Sequence, residues 1–112
     1  MAWPYTYNFN YYVGDLCQFV LYPRDSGEQF NLSGYSALFV ISTQRGNANA
    51  IVLSASAQVS SSPSRVLCTI YPNTGKVLTG SSYVYDIEIY KNDESYTLLT
   101  GTISTQLDIP KA

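Results

Sequence analysis

The sequence predicts a single all-β domain, and three features favour this fold class. Aromatic and β-branched residues dominate the apolar positions. Apolar and polar residues alternate over several segments, and turn-forming residues recur about every ten positions. Ala and Leu, by contrast, are not spaced at the intervals of a helix. A chain of 112 residues has room for one domain with one core.

Strands are predicted over residues 16–22, 35–43, 51–60, 66–71, 83–90 and 96–109. Residues 35–43 are apolar on both faces, which predicts a central strand. In residues 51–60 and 83–90 the apolar side chains occupy the odd positions, so Ile51 and Tyr83 are both expected to face the core. The last strand is expected to bend at Gly101. With the N-terminal segment, the chain is predicted to form an immunoglobulin-like antiparallel β-sandwich of seven to eight strands.

The first 13 residues are distinguished as an aromatic N-terminal strand or arm, and residues 14–112 as the β-sandwich domain. Five aromatic residues alternate here with smaller ones: Trp3, Tyr5, Tyr7, Phe9 and Tyr11. An extended chain places all five rings on one face. Three interpretations stay open: a first strand packed on the core, an arm that packs on a neighbouring subunit, or a platform for sugar rings. The arm would make these five residues the subunit interface.

Composition and charge exclude several classes of function. Only 12% of the residues are charged, and the net charge is -2. The six cations are spread singly, so no basic cluster indicates nucleic acid as a partner. No apolar run approaches the ~20 residues of a membrane span, and the first residues lack the pattern of a signal peptide. A surface with so few charges instead favours permanent contacts with other proteins.

The residue types that support catalysis are scarce, so the protein is predicted not to be an enzyme. Histidine is absent, which removes the commonest general base and metal ligand. Asp86 and Glu88 share a strand face, but nothing around them predicts a cleft, and both are expected to be solvated. Cys17 and Cys68 lie in apolar stretches and are predicted to be buried free thiols, with a disulfide between them as the alternative. No catalytic residue, metal site or cofactor is predicted.

Three stretches of the chain together resemble a known class of proteins. The first is Gly14-Asp15 before a strand, followed by an Asp-Ser-Gly turn at 25–27 and by Asn-Leu-Ser-Gly at 31–34. The second is Gly-x-x-Tyr-x-Tyr-Asp-Ile at 80–87, and the third is Leu-x-Gly at 99–101. In this order, over residues 14–109, they resemble the small immunoglobulin-like sandwich proteins of tailed-bacteriophage virions. That class includes tail-tip collar proteins that anchor side fibres, upper-baseplate domains and capsid decoration proteins.

The resemblance implies a virion protein, assembled in the host cytoplasm, that joins or reinforces other subunits as a homo-oligomer. Its expected partners are tail, fibre or capsid subunits. The expected position is the tail collar at the point of fibre attachment, and capsid decoration is the alternative. The class has no catalytic residues to carry over. An alternative of another kind, a carbohydrate or receptor-binding module for surface glycans, follows from the eleven Tyr residues and the single Trp.

Four residues are predicted to have structural roles in such a sandwich. Gly34 and Gly80 are expected at strand entries, in backbone conformations that a Cβ would oppose. Either Tyr83 or Tyr85 is expected to be a corner tyrosine, with a buried ring and a hydroxyl bonded to the backbone.

Overall fold

The computed structural model describes residues 3–25, 27–61 and 63–106, which fold mostly as strands. The ten strands are β1 (Tyr5–Thr6), β2 (Phe9–Tyr12), β3 (Cys17–Leu21), β4 (Arg24–Asp25), β5 (Glu28–Gln29), β6 (Ser36–Ser42), β7 (Ile51–Ser61), β8 (Ser64–Ile70), β9 (Ser82–Lys91) and β10 (Glu94–Gln106). A 3₁₀ turn (Ala48–Ala50) precedes β7, and a one-turn helix, α1 (Pro72–Gly75), follows β8. The predicted all-β class is confirmed.

Eight strands form one curled sheet in the order β1-β10-β9-β6-β7-β8-β3, with β2 also paired to β10. Its strand number agrees with the predicted seven to eight. β6 lies between β9 and β7, so the prediction that it is a central strand is confirmed. β4 and β5 form a separate two-stranded ribbon.

The sheet curls along β7, which changes partner part-way along its length. Residues 51–55 pair with β6, whereas residues 56–61 pair with β8. The curl brings the far strand β3 back towards β6, where the rings of Phe19 and Phe39 lie 5.8 Å apart, edge to face. The core therefore lies inside the curl, between the two ends of the sheet.

Alternation correctly predicts which residues of β8 and β9 face this core. Val66, Cys68 and Ile70 of β8 are fully buried. The odd-numbered residues of β9 from Tyr83 to Ile89 are also buried, and none is more than 6% exposed. A period of two thus predicts the inward face wherever the pairing of neighbouring strands is regular.

The prediction for Ile51 is wrong, because the ladder between β6 and β7 is irregular there. Ile41 pairs with Leu53 but Ser42 pairs with Ile51, which leaves Val52 as an extra residue. Such a bulge reverses the faces beyond it. Val52 consequently packs against the core, and Ile51 is 48% exposed.

β10 is continuous through the position where a bend is predicted. Gly101 pairs with Tyr85 in regular register, and the irregularity lies earlier, between Thr97 and Leu99. Residues 107–109 of the predicted strand lie outside the described residues. Cys17 and Cys68 are free thiols, as predicted; Cys68 is fully buried, whereas Cys17 is only half-buried and not buried as expected.

Candidate interaction surfaces

The N-terminal segment lies along β10 as two short parallel strands. Tyr5 pairs with Leu99 and Phe9 with Ile103. The five aromatic residues predicted to share one face differ in burial: Trp3 and Phe9 are half-buried, Tyr11 is 2% exposed, and Tyr5 and Tyr7 are 57% and 50% exposed. Three rings therefore contribute to the core of this chain, and two remain largely available to a partner.

The rings that reach the core make well-defined edge-to-face contacts. Trp3 lies 5.1 Å from Phe30 and 6.0 Å from Tyr96, measured between ring centroids. Phe9 lies 5.3 Å from Tyr85 and 5.6 Å from Phe19. Contacts of this geometry add to the stabilisation that burial itself provides, so the N-terminal segment is integral to the packing.

Between β1 and β2 the segment keeps the same register along β10 and approaches it closely at Gly101, where three hydrogen bonds hold it. The Tyr7 amide donates to the Thr100 carbonyl at 2.9 Å, and its carbonyl accepts from the Tyr85 hydroxyl at 2.5 Å. The Asn8 side chain accepts from the Thr102 amide at 2.9 Å. A Cβ at Gly101 would overlap the Tyr7 carbonyl oxygen. Gly101 thus allows a close approach of two backbones.

The glycines and tyrosines predicted to be structural all lie in close contacts within the chain. Gly34 has a φ of +81°, and a Cβ there would lie 3.1 Å from Lys91 Cδ. The Gly80 amide donates to the Tyr83 hydroxyl at 2.7 Å, and a Cβ on Gly80 would lie 2.9 Å from that oxygen. The rings of Tyr83 and Tyr85 are both buried, and both hydroxyls bond to backbone groups.

The outer face of β6, β9 and β10 carries mainly hydroxyl and aliphatic side chains. Its residues are Ser36, Leu38, Val40, Ser42, Val84, Asp86, Glu88, Tyr90, Thr97, Thr100 and Thr102. Both carboxylates on this face have partners. Asp86 accepts from Arg45 at 2.7 Å and from Thr100 at 2.6 Å, and Glu88 accepts from Ser95 at 2.7 Å. The face consequently presents little net charge.

Arg45 closes one side of a groove of about 350 Å³ on this outer face. Besides its ion pair with Asp86, its guanidinium donates to the Gly101 carbonyl at 3.0 Å. Val40, Ile51 and Val84 also line the groove. Both charged groups are already paired and open to solvent, so the groove has a polar rim without an unpaired charge to bind an ion.

The second free edge of the sheet is β3, which pairs with β8 on one side. Among the described residues no strand pairs with its other side. Phe19 anchors β3 from within, whereas Val20 points outward and is 38% exposed. Leu16 and Tyr22 flank the strand and are 55% and 57% exposed. No residue from 16 to 22 is charged. This edge was not predicted from the sequence, although the uncharged strand with large apolar residues at both ends is visible there.

The two edges approach each other around a smaller groove of about 170 Å³. Trp3 and Tyr5 line it from the N-terminal segment, Leu21 and Tyr22 from the end of β3, and Leu99 from β10. Exposed aromatic rings thus flank an apolar depression.

The two cysteine thiols are held in their neutral form. Burial raises the pKa of the Cys68 thiol to about 12 and also raises the pKa of Cys17. Reactive cysteines need a thiolate, which neither residue forms near neutral pH. Within the described residues, no cluster of three or more His, Cys, Asp or Glu side chains could hold a metal ion. In the same part of the chain, no helix is long and apolar enough to cross a membrane.

No protein-family model matches the chain, and no curated protein matches it in sequence.

Proposed function

We propose that the chain is a non-enzymatic structural protein of a tailed-phage virion, folded as an immunoglobulin-like β-sandwich. Its role is to join or reinforce other subunits in a symmetric assembly, at the tail collar where fibres attach. Capsid decoration is the alternative position. The protein is assembled in the host cytoplasm and acts in the virion.

The strand order supports the sandwich. β7 pairs with β6 at one end and with β8 at the other, so β10-β9-β6 and β3-β8 form two groups joined through one strand. The Phe19 ring of β3 contacts the Phe39 ring of β6 across the core. Two stacked layers whose inward side chains interdigitate would produce such contacts.

The observation that carries an assembly role is that about half of the large apolar side chains exposed in the described residues lie on or beside the two sheet edges. Tyr5 and Tyr7 lie on the N-terminal edge, and Leu16, Val20 and Tyr22 lie along or beside β3. Single exposed apolar residues are normal on a protein surface, but contiguous ones mark interaction sites. Aromatic residues on a rigid edge can be buried by a partner at little entropic cost.

Symmetry would strengthen these contacts. Each copy contributes a modest interface, and a closed ring or lattice multiplies its effect, because once one contact forms the next becomes intramolecular. The low charge of the outer face reduces both the repulsion between copies and the cost of desolvation. Many weak interfaces contributed by a small domain can therefore stabilise a large assembly.

Labelling of intact particles tests this role. Virus particles produced from the genome that encodes the chain are purified and labelled with gold-conjugated antibodies against the folded protein. Label at the tail tip is expected, and label over the head would select capsid decoration. Purified particles in which mass spectrometry detects none of the chain would contradict the virion role.

The aromatic groove between the edges supports the second candidate, a carbohydrate-binding module. Trp3, the only tryptophan, lines this groove with Tyr5 and Tyr22. A bound sugar should change Trp3 fluorescence, and Tyr5→Ser should remove the response. Tyr71→Ser, at a similarly exposed residue outside the groove, should not. A glycan array without any hit would reject this candidate.

A further inference from the structure

The β3 edge lacks the features with which proteins usually protect a free strand. Between Cys17 and Leu21 it contains no proline and no charged residue, and its pairing with β8 has no bulge. A strand of this kind presents unpaired backbone amides and carbonyls as a template for another strand. The β3 edge is therefore free to pair with a strand from another chain.

We propose that this edge pairs with the same edge of a second copy of the chain, antiparallel, about a two-fold axis at Phe19. The two sheets then become one continuous sheet across the dimer. In this register Leu16 of one copy lies opposite Tyr22 of the other, and Gln18 lies opposite Val20. Each contact occurs twice because the interface is isologous.

The apolar residues beside the edge complement each other in this arrangement. Leu16 and Tyr22 are both more than half exposed in the single chain. Cross-strand pairs of aromatic and aliphatic residues stabilise antiparallel strands. Two Leu16–Tyr22 pairs would cover all four of these side chains, so the second copy removes the largest exposed apolar groups along the edge.

Charge complementarity favours the same orientation. Asp15 precedes the edge and Arg24 follows it, and both side chains are exposed. Antiparallel pairing brings Asp15 of each copy beside Pro23 and Arg24 of the other, which gives two attractive contacts. Parallel pairing would instead place Asp15 beside Asp15 and Arg24 beside Arg24. The charges thus select the two-fold arrangement.

The interface is small, so the expected affinity is modest. One pair of five-residue strands with its flanking side chains falls below the ~1,000 Å² that stable interfaces bury. A dissociation constant on the order of tens of micromolar is therefore expected. An affinity of this size suits a contact that other interfaces reinforce in an assembly.

Charge exchange tests the pairing. Sedimentation equilibrium of the purified full chain should show a monomer–dimer equilibrium. Asp15→Arg and Arg24→Asp should each weaken dimerisation about tenfold or more, because two attractive contacts become repulsive. The double variant D15R/R24D should restore dimerisation to within about threefold of the wild type. Lys76→Glu, at an exposed cation outside the edge, should change nothing, and circular dichroism should show every variant folded.

Directed cross-linking tests the register. Gln18→Cys and Val20→Cys variants are mixed in equal amounts and oxidised. Residues 18 and 20 lie opposite each other in the proposed register, so a disulfide should form between residue 18 of one chain and residue 20 of the other, which peptide mass mapping would identify. Each variant oxidised alone should give much less linked dimer.

Two outcomes would overturn the proposal: a chain that stays monomeric up to about 1 mM, far above the expected affinity, or a dimer that charge exchange does not affect. Either result would leave the virion role untouched, because particle labelling does not depend on β3. Conversely, particles that lack the chain would not alter a dimer measured in purified protein.

Discussion

The two edges of the curled sheet are formed by β1 with β2 and by β3. They differ in the continuity of the strand and in the burial of its side chains. The first is interrupted at Tyr7–Asn8, where the chain approaches Gly101 closely, and it turns three aromatic rings inward. The second is an unbroken strand whose main inward ring is Phe19. Interruption is one way to prevent a sheet edge from pairing with other chains.

The first edge therefore stabilises the fold through its inward rings while Tyr5 and Tyr7 stay exposed, whereas the outward side of β3 contributes little to stability. Substitutions at the first edge should lower the free energy of unfolding. Substitutions on the outward side of β3 should leave that energy almost unchanged. Stability measurements on matched variants of the two edges test this difference.

The largest effect is expected at Gly101. Gly101→Ala places a Cβ against the Tyr7 carbonyl and should lower the free energy of unfolding by about 3 kcal/mol. Urea denaturation measures this change. Gly46→Ala is the control, because Gly46 has a φ of +75° but no atom within 4 Å of an added Cβ. It should cost only the backbone strain of about 1 kcal/mol, and equal losses in the two variants would contradict the close approach at Gly101.

Truncation of Phe9 should have the next largest effect. Phe9→Ala removes the edge-to-face contacts with Phe19 and Tyr85 and should cost about 2 kcal/mol, less than for a fully buried ring. Tyr5→Ala, on the same edge but 57% exposed, should cost about 0.5 kcal/mol. Denaturation of the two variants side by side separates the buried part of the segment from its exposed part. Similar losses would mean that the segment is not packed as described.

Loss of a single hydroxyl should have a smaller effect. Tyr85→Phe leaves the Tyr7 carbonyl without the donor that lies 2.5 Å away, so the expected cost is about 1 kcal/mol. Thermal and urea denaturation can both detect a difference of this size. Tyr90→Phe, at a 44% exposed ring, is the control and should behave like the wild type. If Tyr85→Phe is also as stable as the wild type, the Tyr85 hydroxyl does not hold the N-terminal segment at Gly101.

Alkaline pH tests the same hydroxyl in the unmodified protein. Burial raises the pKa of Tyr85 above its usual value of 10.0, and the hydrogen bond to Glu94 raises the pKa of Tyr35 to about 12. Above pH 10 the unfolded chain releases these protons while the folded chain keeps them, so the free energy of unfolding falls as pH rises. Denaturation at several pH values should show this fall, with a shallower slope for Tyr85→Phe. A free energy that rises above pH 10 would contradict it.

The smallest effect is expected on β3. Tyr22→Ser changes a side chain that is 57% exposed, and it should alter the free energy of unfolding by less than about 0.5 kcal/mol. The measurement is made at low protein concentration, where association does not contribute. A loss comparable to that of Phe9→Ala would show that both edges support the core and would remove the distinction between them.

Alternation in the sequence predicts the inward residues of a strand well where the strand has one inward face and a regular ladder. β8 and β9 follow this rule along their whole inward sides. Ile51 does not, since a bulge depends on how β6 and β7 align rather than on either sequence alone. A local pattern contains no information about such a slip.

The candidate surfaces were less predictable than the fold. The five aromatic residues at odd positions predict one shared face, but their burial differs: Trp3, Phe9 and Tyr11 pack in or against the core, whereas Tyr5 and Tyr7 stay at least half exposed. β1 and β2 pair with β10, which is distant in the sequence. An alternating pattern within one strand does not indicate which other strand it pairs with. The open edge of β3 likewise becomes apparent only when the full strand order is known.

The parallel alignment of β1 and β2 with β10 also determines how this domain would respond to mechanical force. Trp3 lies near the start of β10, whereas Gln106 lies beside Tyr12 at the other end. Tension applied between residues 3 and 106 would therefore act along the strands and shear their cross-links together rather than peel them apart in succession. Force applied in this direction would therefore load the backbone hydrogen bonds of the parallel pairs at the same time.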